Sequence, residues 1–145
     1  MQASFLGTPA PTELNGSGLK VGIVAARYNW PVTGALLALA YEELVRLHVA
    51  PEQIEVVHAP GAYELATVAQ AMLSTPQRYD ALICIGCVMK GATRHDILVG
   101  DAAAQGVQRV ASTAGSRLSL ASSAPRPPSR PRNASHAAPS SPRPP

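Results

Sequence analysis

The chain has 145 residues, 46% hydrophobic, 14% charged and 4% aromatic, with a formal net charge of +3. That leaves room for about one domain with a real core, which excludes wholesale disorder, and so few aromatics argue against a base-stacking platform. The positive charge is local: residues 1–111 hold 7 Lys/Arg against 9 Asp/Glu, a net of −2, whereas residues 112–145 hold 5 Arg and no acid.

Residues 1–18 are rich in Pro, Gly, Thr and Ser and read as an irregular arm. They lack a basic start and a 7–15-residue apolar stretch, so no signal peptide is expected. Lys20–Ala26 is a short, nearly continuous apolar run, the mark of a strand buried on both faces. Pro31 opens a helix, with Val32, Leu36, Leu39, Ala40, Leu44 and Leu47 at helical spacing and Glu42–Arg46 as an i,i+4 pair. Ile54–His58 is a second strand, and Pro60-Gly61 turns it. Leu65, Val68, Ala69, Met72 and Leu73 then form the apolar stripe of a second helix. Asp80–Met89 is the strongest strand; Gly91 breaks it, Thr93 suits an N-cap, and a helix is predicted over 95–111. Strand–helix units about 30 residues apart imply parallel strands, right-handed crossovers and helices on both sheet faces.

Periodicity stops at Ser112. Residues 112–145 contain nine Ser, eight Pro, six Ala and five Arg, and such a segment is predicted to be a disordered tail. The domain is therefore expected over 19–111, with its third strand at an unprotected edge. No apolar segment approaches about 18 residues, so no membrane span is expected, and the chain reads as cytoplasmic.

Ligands of open parallel sheets bind outside the carboxyl ends of the strands. Three loops meet that condition: Arg27–Trp30, Pro60–Glu64 and Lys90–His95. Together they bring an aromatic, a carboxylate, a cation-rich turn and a histidine to one rim, as a small-molecule site requires. The Gly91-Ala92-Thr93 turn leads into a helix, whose free N–H groups and positive dipole end suit a phosphate. His95 beside it can move protons near neutral pH; its alternative role is a solvated first-turn residue. Glu64 can hydrogen-bond a polyol or amine, or merely face a helix dipole. Tyr28 can stack on a flat heterocycle, with Trp30 as rival. Cys84 and Cys87 have CxxC spacing but share a strand, where residues three apart face opposite sides, and they are expected as reduced thiols. No spacing of His, Cys, Asp and Glu supports a metal site.

On these loops the sequence resembles the 6,7-dimethyl-8-ribityllumazine synthase family. The likeness runs from about Gly18 to Ala111, through Arg27-Tyr28-Asn29, Val32-Thr33, Pro60-Gly61-Ala62-Tyr63-Glu64-Leu65, Tyr79-Asp80-Ala81 and Gly86-Cys-Val-Met-Lys-Gly-Ala-Thr-Arg-His95. The resemblance implies a flavodoxin-like α/β fold, a three-layer α/β/α sandwich with a parallel sheet, here incomplete at the C-terminal end. It implies condensation of 5-amino-6-(D-ribitylamino)uracil with 3,4-dihydroxy-2-butanone 4-phosphate, the penultimate step of riboflavin biosynthesis, with no metal or organic cofactor. By the same likeness Tyr28 stacks on the pyrimidine, and Ala62, Tyr63 and Glu64 hold the ribityl chain and uracil. Cys87, Val88 and Met89 contact the uracil, Ala92 and Thr93 bind the phosphate, and His95 transfers protons.

The family forms homo-oligomers, pentamers or larger shells, with sites between neighbouring subunits. After Ala111 this chain departs from it. The family continues with a Gly-x-Pro-Val-x-Phe-Gly-Val strand and two helices that supply a neighbour's aromatic and a phosphate-binding arginine. The Ser/Pro/Arg run here is what a shifted reading frame of a GC-rich gene produces, and losing a fourth strand predicts poor solubility and little oligomer. Two other classes stay open: a non-catalytic flavin- or pterin-like binding module, and an interaction protein with an Arg-rich tail. The second is disfavoured, because five arginines over 34 residues without interleaved aromatics make a thin nucleic-acid footprint.

Overall fold

The computed structural model describes residues 13–114 and 117–123. The strands are β1 (Val21–Ala26), β2 (Ile54–Ala59), β3 (Ala81–Cys87) and β4 (Arg117–Ser123), and the helices α1 (Trp30–Arg46), α2 (Leu65–Leu73) and α3 (His95–Ala114). Single turns of 3-10 helix, Pro51–Gln53 and Ala62–Glu64, precede β2 and α2. All strand pairs are parallel, in the order β2-β1-β3-β4. That is the beginning of the flavodoxin-like order, so the expected three-layer sandwich is present.

Chain direction explains the layers. β1 to β2 steps one way along the sheet, while β2 to β3 and β3 to β4 step the other way; right-handed crossovers then put the helices on opposite faces. α1 alone packs Leu36, Leu37, Ala40, Tyr41 and Leu44 against Val21, Ile23, Ala25 and Ile85. On the other face Leu65, Ala69 and Met72 of α2 and Ala103 and Val107 of α3 cover Val24, Ala26, Leu82 and Cys84. β1, with a strand on each side and helices on both faces, is buried along its whole length.

Four sequence expectations are corrected. Leu39 is 63% exposed, because the inward stripe of α1 runs through 33, 36, 37, 40, 41 and 44. Arg46 pairs with Glu43 rather than Glu42, its Nε donating to Oε2 at 2.7 Å on the solvent face. α3 begins at His95, which leaves Arg94 rather than Thr93 in the flanking position. Finally, α3 continues to Ala114, and Arg117–Ser123 forms β4 where composition predicts a tail; residues 124–145 lie outside the described residues. β4 runs alongside β3 from Ala81↔Arg117 to Cys87↔Ser123, so β3 is an inner strand. Its period-two run, Leu118 and Leu120 between small or polar residues, is short, and the free ladder groups of β3 give it a partner.

The two ends of the sheet differ in character. At the amino ends Lys20 N donates to Asp80 Oδ2 (2.7 Å) and Asp80 N to Lys20 O (2.8 Å). Nearby, the Tyr79 hydroxyl donates to Glu55 and the Lys20 ammonium lies 5.3 Å from the Tyr79 ring centre. α1 ends in a left-handed residue, His48 (φ 68°), with His48 N donating to Val45 O and Val49 N to Leu44 O, both at 3.0 Å. This is the paired bonding of a Schellman cap, with histidine where glycine is usual. No helix among the described residues is long and apolar enough to cross a membrane.

Candidate functional site

At the carboxyl ends of the strands, backbone bonds carry the β1–β2 pairing into the loops: Arg27 N donates to Ala59 O (2.8 Å) and Tyr28 N to Pro60 O (3.0 Å). Asn29 follows in the left-handed region (φ 60°) and its Nδ2 donates to Cys87 O at 3.0 Å, joining the loop after β1 to the end of β3. Its own carbonyl accepts from Val32 N (2.9 Å) and Thr33 N (3.1 Å), starting α1. These bonds lie where the strand order reverses, between β1 and β3, the place at which doubly wound sheets bind ligands.

A cleft of about 310 Å³ opens there. Tyr28 comes from the loop after β1; Ala62, Tyr63 and Glu64 from the turn before α2; Cys87, Val88 and Met89 from the end of β3; and His95 from the start of α3. Ala62 and Cys87 are buried, while Tyr28 (72% exposed) and Tyr63 (60%) stand out into solvent. Burial pushes the Cys87 thiol above its ordinary pKa, so it stays protonated and presents an apolar wall. Glu64 is partly committed: its Oε2 accepts from Gly61 N at 3.0 Å, bracing the turn that carries Ala62 and Tyr63. Gly86 lets this turn sit close to β3, since a Cβ there would lie 2.9 Å from Leu65 Cδ1 and 3.1 Å from Ala62 Cβ.

Eight of the ten residues singled out from the sequence thus line one hollow. Ala92 and Thr93 do not. Thr93 lines a neighbouring depression with Arg94, Ile97, Leu98 and Asp101, which shares His95 with the cleft. Trp30 also stands apart, in an open depression with Arg27 and His58. Asn29, Gly61, Asp96 and Val99 line the cleft as well and were not among the expected site residues. Helical spacing was the available signal for Val99, four positions beyond His95 and so on the same face. Among the described residues no three His, Cys, Asp or Glu side chains gather to hold a metal ion.

A family model described as 6,7-dimethyl-8-ribityllumazine synthase matches residues 18–117. The chain is 43% identical over 100 residues to a 6,7-dimethyl-8-ribityllumazine synthase of Albidiferax ferrireducens, covering 69% of this chain and 63% of that one. It is 45% identical over 100 residues to one of Ralstonia pickettii (69% and 60%) and 42% identical over 99 residues to one of Azoarcus sp. (68% and 63%). The chain therefore spans about three fifths of the length of these curated relatives.

Proposed function

The chain belongs to the 6,7-dimethyl-8-ribityllumazine synthase family, and on that premise we propose that it serves riboflavin biosynthesis, condensing 5-amino-6-(D-ribitylamino)uracil with 3,4-dihydroxy-2-butanone 4-phosphate to 6,7-dimethyl-8-ribityllumazine. One observation carries this reading: four separate stretches of chain bring Tyr28, Ala62–Glu64, Cys87–Met89 and His95 to a single cleft. Tyr28 stacks on the pyrimidine. The Ala62–Glu64 turn holds the ribityl chain, with the Glu64 carboxylate accepting hydrogen bonds from its hydroxyl groups. Backbone groups of Cys87, Val88 and Met89 meet the uracil edge, and the Ala92-Thr93 turn at the start of α3 takes the phosphate. The amine attacks the ketone and an imine forms with loss of water; phosphate leaves, and ring closure releases a second water. His95 passes protons between the reacting atoms, and the cleft holds two reactants in register.

Mixing both substrates and following product fluorescence tests this. The protein is expected to form the product, and His95→Ala to do so more slowly by roughly a hundredfold or more, since orientation survives and assisted proton transfer does not. No product above the uncatalysed reaction overturns the reading. The second reading, a module that binds without turnover, is favoured by Ala92 and Thr93 standing outside the cleft; binding of the aminouracil without product would establish it.

The same reading extends to assembly, because β4 is present and the loss of a fourth strand, from which little oligomer was expected, does not occur. A homo-oligomer, pentamer or larger, would close the outer side of the cleft, and the exposure of Tyr28 there supports it. Gel filtration at the mass of one subunit would remove this part. The free thiols of Cys84 and Cys87 suit the reducing cytoplasm.

A further inference from the structure

We propose that Asn29 is the positioning residue of the cleft, setting the distance between the Tyr28 ring and the Cys87–Met89 edge and so the affinity for the flat heterocycle. This rests on the reading of the cleft given above. β1 and β3 pair only as far as Ala25↔Ile85, and the two chains then part to form the mouth. Toward β2, Tyr28 is fixed by backbone bonds, Arg27 N to Ala59 O and Tyr28 N to Pro60 O. Toward β3, among the described residues, the tie beyond the ladder is the carboxamide of Asn29, which donates to Cys87 O at 3.0 Å in a half-buried setting.

Asparagine meets two demands at this position. The backbone reverses there at φ 60°, ψ 42°, a conformation asparagine tolerates better than most residues. The side chain must also donate to a carbonyl oxygen, which glycine and an ionised aspartate cannot do. The same residue receives the first turn of α1 on its carbonyl oxygen, through Val32 N, Thr33 N and the Thr33 hydroxyl. One residue therefore ties the end of β3, the start of α1 and the turn that carries Tyr28. His95 sits on α3, and none of these bonds holds it. Loss of the tie widens the stacking slot and leaves the proton-transfer group in place.

Asn29→Gly keeps the backbone conformation and removes the donor; Asn29→Asp keeps the shape and turns the donor into an acceptor. Calorimetry with 5-amino-6-(D-ribitylamino)uracil as probe is expected to show roughly tenfold weaker binding in Asn29→Gly and a larger loss in Asn29→Asp. The KM for the butanone phosphate and the pH dependence of kcat should stay as in the unsubstituted chain. Amide exchange of the ligand-free protein is expected to rise in the segments around 26–32 and 86–90, and not in α2. Equal binding by Asn29→Gly, unchanged exchange in those segments, or a uniform rise across the protein overturns the proposal. If the unsubstituted chain binds no aminouracil, the functional reading fails on its own, and the exchange pattern alone decides whether Asn29 is the tie.

Discussion

The indole of Trp30 meets the imidazole of His58 edge-on, with ring centres 5.5 Å apart and planes at 64°. Gly34 makes room for the indole, since a Cβ there would lie 2.9 Å from the ring. The pair pins the first turn of α1 to the end of β2, outside the cleft. His58→Ala should cost about 0.5–1.5 kcal/mol, the worth of such an aromatic contact. Trp30 is the sole tryptophan, so its emission should move to longer wavelength in the same variant. Urea unfolding followed by that emission checks both; an unchanged spectrum would mean the contact is absent in solution.

His48 occupies the left-handed cap of α1, where a side chain is strained and glycine is not. His48→Gly should therefore stabilise the protein by about 0.5–1 kcal/mol, despite glycine's greater freedom in the unfolded chain. His48→Val, branched at Cβ, should destabilise it by a similar amount or more. Denaturation midpoints of the two variants should fall on opposite sides of the parent.

Gly86→Ala places a methyl group against Leu65 and Ala62. Overpacking of this kind costs about 1–3 kcal/mol. The turn that must yield carries Ala62, Tyr63 and Glu64, so binding of the aminouracil should weaken along with stability. Gly91→Ala is the control, since a Cβ there meets nothing within 4 Å.

Burial, and then the hydrogen bond and charge of Glu55, push the Tyr79 phenol up to about 12 from 10.0. A raised pKa means the folded state holds this proton more tightly than the unfolded chain does. The stability from Tyr79 is therefore complete below pH 10 and is lost as pH rises toward 12. Tyr79→Phe should flatten the fall of the denaturation midpoint across that window, and an unchanged slope would contradict the assignment.

Burial also pushes the Cys84 thiol up to about 11, and Cys87 is shifted in the same direction. Since the thiolate is the reactive form, a thiol reagent should label neither residue at neutral pH until the protein is denatured. Rapid labelling of Cys87 in the native state would show that the cleft floor opens.

Strands, helices and the rim were legible because long apolar runs, clean helical stripes and Pro/Gly breaks coincide in this chain. Ile54–Ala59 and Leu65–Leu73 follow their patterns closely. β4 was not legible: Arg117–Ser123 has two leucines and no β-branched residue, so although an unpaired edge on β3 was expected, nothing in the linear chain marks this segment as the one that fills it. Leu39 misled because helical spacing fixes a face only to within a turn. At the site, Tyr28, Glu64 and His95 announce themselves by chemistry, whereas Asn29 acts through a backbone reversal and one carboxamide bond that no motif spells out.

The paired bonds between Lys20 and Asp80 give the cleft a datum at the opposite end of the molecule. β1 and β3 set out from that fixed mark, so the reach of each loop is counted in residues from it. One extra residue within β3 would carry Cys87, Val88 and Met89 forward by about 3.3 Å and turn each side chain over. Tyr28 would then look across at the wrong neighbours, although every letter of the rim was intact.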